Sequence, residues 1–195
     1  MTRNRLLSAK TPEGWDYVTV PVAHAPQDVL YPLVQVSGGA SWLNRLEGQL
    51  AFHYARAPHR QDVMEWVTPL GAQSSLLELN IHAIRALSER LGLRARFLDS
   101  RDFDRGENLD REARLIHIAR QAGATRYINA LGGQALYSKA RWDAEGIPLA
   151  FLEPRFTPYD QGRATFMPGL SVLDALLWNA PGRVAECIAS GYTLV

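Results

Sequence analysis

The stretch Tyr127 to Leu152 constrains the fold most. It reads as a strand, a double-glycine turn, a helix ended by Gly146 and a second strand. Two short apolar strands separated by one helix describe a βαβ unit, which pairs its strands in parallel. The alternation extends upstream. Ser74 or Ser75 caps a helix that runs to Leu91 and stops at Gly92. Its apolar stripe is Leu77, Ile81, Ile84, Leu87 and Leu91, with Asn80 inside the stripe. Leu93 to Leu98 reads as a strand, and residues 110–122 as a helix with Gly123 just past its end.

From residue 74 the order is therefore α-β-α-β-α-β. This predicts an α/β fold: three layers, a mostly parallel sheet flanked by helices (Rossmann-like), and a loop-rich C-terminal part over 153–169. Right-handed crossovers place the ends of the strands on one edge, where ligands of open parallel sheets bind. Those ends are Asp99-Ser100, Gly132-Gly133 and Glu153-Pro154. Before this region, residues 1–14 read as polar, Tyr17 to Val22 as a strand that Pro21 either places at an edge or ends, and 23–40 mostly as loop. Ser41 is expected to cap a helix that ends before Ala57-Pro58. A short helix is expected at Asp62 to Trp66, and two more at Ser171 to Asn179 and Arg183 to Ser190.

Composition narrows the class of protein. At 195 residues the chain is long enough for one domain with a sizeable core. A net charge of +1, with arginines scattered rather than massed, gives no reason to expect nucleic acid. No apolar run reaches the roughly 20 residues that span a bilayer. The single cysteine, Cys187, excludes an internal disulfide and fits a reducing cytoplasm.

The chemistry-bearing residues are few. Gly132-Gly133, between a strand and a helix start, reads either as a phosphate or carboxylate cradle or as a tight turn needing positive φ. Tyr127 and Asn129 share one face of their strand and Tyr137 follows, so they either surround a polar ligand or serve as core aromatics with wet hydroxyls. Asn80 needs a partner, which could be a backbone group or a ligand. Tyr159, Asp160 and Gln161 lie in a loop that could fold over the strand ends. Ser171 and Asp174 match the Ser-x-x-Asp capping pattern, the simpler reading beside catalysis. The five histidines form no metal-binding spacing. No serine sits in a nucleophile elbow, and no carboxylate pair is singled out, so catalytic residues and cofactors stay unassigned.

The ordered set of short motifs resembles the WbqC-like protein family. The cues are Ala57-Pro58, Asn80, Leu91-Gly92-Leu93, Gly123-Ala124, Tyr127-Ile128-Asn129, Gly132-Gly133, Leu136-Tyr137 and Gly146-Ile147. They continue with Tyr159-x-Gln161, Phe166-x-Pro168 and Leu170 to Asp174, and with Asn4-Arg5 and Val20-Pro21-Val22 near the start. The resemblance covers nearly the whole chain and adds Asn4 and Arg5 to the ligand-binding candidates. It also implies an additional strand-helix-strand segment before the Asn-Arg motif, so that 1–195 reads as a single WbqC-like domain that is N-terminally incomplete. Loss of that segment would expose a sheet edge and invite pairing with another chain, as in a homo-oligomer.

The resemblance implies a bacterial, cytoplasmic protein of surface polysaccharide (O-antigen) or related glycan biosynthesis. A transferase moving an acyl or aminoacyl group to an amino sugar or carrier-bound acceptor suits that setting. The alternative is a non-catalytic binding or assembly subunit of such a pathway. The partners expected are a small-molecule or carrier-bound substrate, with no nucleic acid and no membrane span.

Overall fold

The computed structural model describes residues 3–26, 28–104 and 106–195. In chain order its elements are β1 (Arg3–Leu7), β2 (Trp15–Thr19), α1 (Ser41–His53), α2 (Arg60–Val67), α3 (Leu76–Arg90), α4 (Arg111–Gln121), β3 (Tyr127–Ala130), α5 (Lys139–Ala144), β4 (Leu149–Pro154), α6 (Val172–Trp178), α7 (Pro181–Ser190) and β5 (Tyr192–Leu194). They belong to two compact units. The first comprises the chain up to Arg94 together with Thr157–Ala189; the second comprises Ala95–Phe156 with Ser190–Val195.

The first unit is mostly helical. β1 and β2 form an antiparallel hairpin, with Leu6 opposite Asp16 and Asn4 opposite Val18. The polar 1–14 stretch thus contains a strand that its composition hides. Only the pairing with β2 and the burial of Leu6 make it one. On α1, Trp42, Leu43, Leu46 and Leu50 face the core at helical spacing, and Tyr54 continues that face just past the end. Ser41 is the first helical residue rather than the cap, since Ala40 occupies the cap position without a side-chain bond. α2 begins after Pro58 and buries Val63 and Val67. Ser75 caps α3 by accepting a hydrogen bond from the Glu78 N–H, and Gly92 ends the helix at φ +65°. α6 and α7 close the unit through Leu176, Leu177 and Val184.

The second unit is a small α/β element. β3 and β4 are parallel, with Tyr127 opposite Leu149, whereas β4 and β5 are antiparallel, with Leu152 opposite Leu194. Strand alternation sorts the side chains. Leu149 and Phe151 pack on Ile116 and Ala119 of α4 and on Trp142 of α5. The opposite face exposes Ile128, Leu152 and Leu194.

Mixed α/β structure is therefore present, but among the described residues a mostly parallel, three-layer sheet is not formed. One strand pair is parallel, and the sheets hold two and three strands. The strand expected at Leu93 to Leu98 is an irregular segment with all six side chains exposed. A strand exists by pairing, and no described strand offers this segment a ladder. The helix expected between the double-glycine turn and Gly146 is shortened as well. Leu131–Leu136 form a tight 3-10 turn, and α5 starts only at Lys139, where Ser138 accepts a hydrogen bond from Arg141 N–H. Two adjacent glycines are poor helix formers, and the serine supplies the later cap.

Candidate functional site

Three of the residues singled out by sequence meet inside the first unit. Asp174, the third residue of α6, is fully buried. Its Oδ1 accepts from Tyr54 Oη at 2.7 Å, and its Oδ2 accepts from Tyr159 Oη at 2.8 Å and Gln161 Nε2 at 3.1 Å. Gln161 is pinned in turn: its amide N–H also donates to the Met167 carbonyl, and its carbonyl accepts from Met167 N–H. Tyr54 Oη accepts from Leu7 N–H at 2.7 Å, tying β1 to the cluster. The capping reading is half right. Ser171 caps α6 through Leu173 N–H, but the Asp174 carboxylate turns inward instead of back to the cap.

Burial raises the Asp174 pKa above the ordinary carboxylate value, against the opposing pull of its three donors. Tyr54 and Tyr159 are both held above the usual phenol range, first by burial and then by the neighbouring carboxylate. Each donor in this cluster has an acceptor and the carboxylate has no solvent exposure. It is a polar lock, with no free position for a substrate.

The open part of the unit lies on another side of the same helix. Ser171, Val172 and Leu173 line a cavity of about 550 Å³. Its long wall is α3, through Leu77, Asn80, Ile81, Ile84 and Leu87. This is the apolar stripe that periodicity assigns to the core. Here it is only half covered, and Ile84 is 53% exposed. Trp42, Leu46, Val67 and Leu70 form the floor. The Trp42 indole N–H has no acceptor among the described residues. Polar groups are few and peripheral. Asn80 Nδ2 donates to Tyr31 Oη, and Ser171 Oγ donates to Asn4 Oδ1 at 3.2 Å. No charged side chain among the described residues lines the cavity. It can therefore desolvate a neutral apolar group, while a bare charge would find no counterion.

Arg5 stands apart from this cavity, with its guanidinium 4.4 Å from the Trp15 ring centroid on the hairpin.

The remaining candidates belong to the second unit. Tyr127 stacks on buried Trp142 with centroids 4.3 Å apart, and burial raises its phenol pKa. Asn129 Nδ2 reaches Tyr127 Oη at 3.5 Å, while its Oδ1 accepts from Ala130 N–H. Gly132 and Gly133 lie in the 3-10 turn at ordinary negative φ, so neither the helix N-terminus nor the positive-φ turn is present. A Cβ on Gly133 would meet the Tyr137 ring at 3.3 Å, so that glycine makes room for Tyr137. Glu112 and Asp110 hold Arg141, and Glu112 also accepts from the Trp142 indole N–H at 3.0 Å.

The eleven sequence candidates thus fall into two sets. Asn4, Arg5, Asn80, Tyr159, Gln161 and Asp174 are in the first unit; Tyr127, Asn129, Gly132, Gly133 and Tyr137 are in the second. Within the first set, Asn4 and Asn80 border the cavity, while Tyr159, Gln161 and Asp174 form the lock. Tyr31, Tyr54 and Trp42 escaped the sequence reading. Tyr54 was legible as the end of an apolar face, but nothing local marks its hydroxyl as the partner of a carboxylate 120 residues away. Among the described residues, no group of three or more His, Cys, Asp or Glu side chains is placed to hold a metal ion, and no helix is long and apolar enough to cross a membrane.

The family model of the WbqC-like protein family matches residues 1–186, and the chain belongs to that family. It is 26% identical over 196 residues to the uncharacterized protein Rv1507c of Mycobacterium tuberculosis, an alignment covering 95% of this chain and 81% of the relative. No solved structure matches.

Proposed function

We propose that this WbqC-like protein binds the acyl part of a small-molecule or carrier-bound substrate in cytoplasmic glycan biosynthesis, and that it serves acyl transfer to an amino sugar. The observation that carries this reading is the uncharged cavity on α3. Its volume falls in the range of small-molecule sites, its walls are apolar, and its few polar groups sit at the periphery. That arrangement suits a hydrocarbon chain whose carbonyl lies beside Asn80. It favours one of the two donors that suit the family setting. An aminoacyl group carries an ammonium that this cavity leaves unpaired, whereas an acyl chain does not. In the transfer, the amine of the acceptor would attack the acyl carbon, the thiol or alcohol of the donor would leave with the proton, and an amide would form.

The test compares octanoyl and glycyl thioesters of N-acetylcysteamine by calorimetry at neutral pH, where the glycyl compound alone carries an ammonium. The octanoyl compound is expected to bind and the glycyl compound not to. Equal affinity for both would overturn the acyl reading. Mass spectrometry of an amino-sugar acceptor incubated with the protein and the octanoyl donor then reads transfer itself.

A second reading, a non-catalytic assembly subunit, is favoured by the exposed sheet face of the second unit at Ile128, Leu152 and Leu194. It predicts a stable complex that Ile128→Lys weakens, with acyl binding intact.

A further inference from the structure

We infer that a second site, separate from the acyl cavity, holds a phosphoryl group of a small molecule in a basic cleft of the first unit. The cleft lies where the turn between β1 and β2, the end of α1 and the loop carrying Arg163 meet. Two hollows of about 330 and 310 Å³ share Leu7, His53 and Arg163 as walls, and Arg56 lines the second. Among the described residues, no aspartate or glutamate lines either hollow.

Two arginines with no carboxylate partner line the same cleft. Arg120, Arg141 and Arg183 each hold a carboxylate. Arg56 and Arg163 line one cleft, yet neither makes a salt bridge or hydrogen bond among the described residues. Lys10 adds a third cation; its ammonium stands 5.1 Å from the ring centroid of Phe52, another wall residue. Two acids act on these groups. Asp16 acts on His53 from the hairpin, and Asp174, which acts on Arg163, is already engaged by three donors.

The cleft is also built to be rigid. Gly162 adopts φ +63°, and a Cβ there would strike the Trp178 ring at 2.1 Å, so the loop packs flat on that indole. Gly162 N–H donates to Asp160 Oδ1, and Gln161 is tied to both backbone groups of Met167. The backbone that presents Arg163 is therefore fixed before any ligand arrives, which lowers the entropic cost of binding. His53 supplies one more donor. Its Nδ1 accepts from Ala9 N–H at 3.3 Å, so the neutral ring carries its proton on Nε2. Burial, and then Lys10, hold its pKa below the ordinary imidazole value. Two guanidiniums with an imidazole donor match the several oxygens and double charge of a phosphoryl group better than the single plane of a carboxylate.

Calorimetry at constant ionic strength tests this with pyrophosphate, inorganic phosphate and uridine diphosphate. Saturable binding is expected, weakened about tenfold or more by Arg163→Ala and by Arg56→Ala. Arg94→Ala, on an exposed arginine outside the cleft, should leave it unchanged. The His53 ring-proton titration, followed by NMR, should shift to higher pH with pyrophosphate in the wild type and not in the double arginine variant. Preference for the nucleotide or for pyrophosphate identifies the source of the phosphoryl group; either supports the site. Absence of saturation, equal weakening by Arg94→Ala, or an unmoved His53 titration would overturn it. The acyl reading stands or falls separately, because Ala83→Trp in the cavity should abolish octanoyl binding and spare pyrophosphate binding.

Discussion

The Asp174 lock and the α3 cavity lie in the same unit and divide four consecutive residues between them, yet they treat polarity in opposite ways. Ser171, Val172 and Leu173 face the cavity, and Asp174 turns into the lock. In the lock, every donor is answered and the carboxylate is out of reach of solvent. In the cavity, a helix stripe that should be covered is open. A polar group with all its bonds made has spent its capacity on the fold. An apolar wall left uncovered has not, and it is there that a ligand gains most by displacing water.

The comparison breaks most sharply at Asp174. Asp174→Ala leaves the buried Tyr54 hydroxyl, the half-buried Tyr159 hydroxyl and one N–H of the Gln161 amide without an acceptor, while the other Gln161 N–H keeps the Met167 carbonyl. At about 1–3 kcal/mol for each unsatisfied group, partly relieved by relaxation, the expected loss is about 3–5 kcal/mol in urea unfolding. Asp174→Asn keeps the volume but turns one acceptor into a donor facing Tyr159 or Gln161, and should cost about 1–3 kcal/mol. If either variant keeps wild-type stability but loses octanoyl binding, Asp174 belongs to the site and the division drawn above fails.

Next in size are the tyrosines. Tyr54→Phe and Tyr159→Phe each remove one bond to the carboxylate, expected to cost about 1.5–3 kcal/mol, with Tyr54 the larger because Leu7 N–H loses its acceptor too. Their raised pKa values also set an alkaline limit. An unfolded tyrosine ionises near pH 10, whereas the folded lock keeps both phenols neutral above that. Stability is therefore complete below about pH 10 and falls as pH rises through that value towards the folded pKa values. Denaturation midpoints measured from pH 8 to 11 should fall in the wild type and stay flatter in the double phenylalanine variant.

How much of this was legible depends on whether the signal was local. The caps at Ser75 and Ser171, the helix stops at Gly92 and Gly123, and the burial of Leu46 and Leu50 follow from short-range spacing, and the structure contains them. β1 and the fate of Leu93 to Leu98 depend on which strands find partners, and alternation alone cannot report that. The site shows the same split. Asn80 stood out because it interrupts an apolar stripe, but the stripe was read as core, since periodicity reveals a face and not what covers it. The Tyr54–Asp174 bond joins residues 120 apart and left no pattern to read.

Ala83→Trp puts an indole into the open volume from a half-buried position on α3. Because it fills space that is already empty, stability should change by less than about 1 kcal/mol, in contrast to the lock variants. Octanoyl binding should fall at least about a hundredfold by calorimetry. Retained binding would place the acyl group elsewhere.

The smallest effect separates recognition of the carbonyl from burial of the chain. Asn80 is half-buried at the edge of the cavity and Tyr31 is 45% exposed, so water can replace the bond between them. Asn80→Ala should therefore shift stability by no more than about 0.5 kcal/mol. The octanoyl thioester loses one hydrogen bond to its carbonyl in that variant, about 0.5–1.5 kcal/mol, or roughly two- to tenfold in affinity. Hexane, which has no carbonyl, loses nothing and should bind both proteins alike in a thermal-shift titration. An equal loss for both probes would mean that Asn80 shapes the wall rather than reading the head group, and the polar end of the ligand would then have to be sought at the Asn4–Ser171 pair across the cavity.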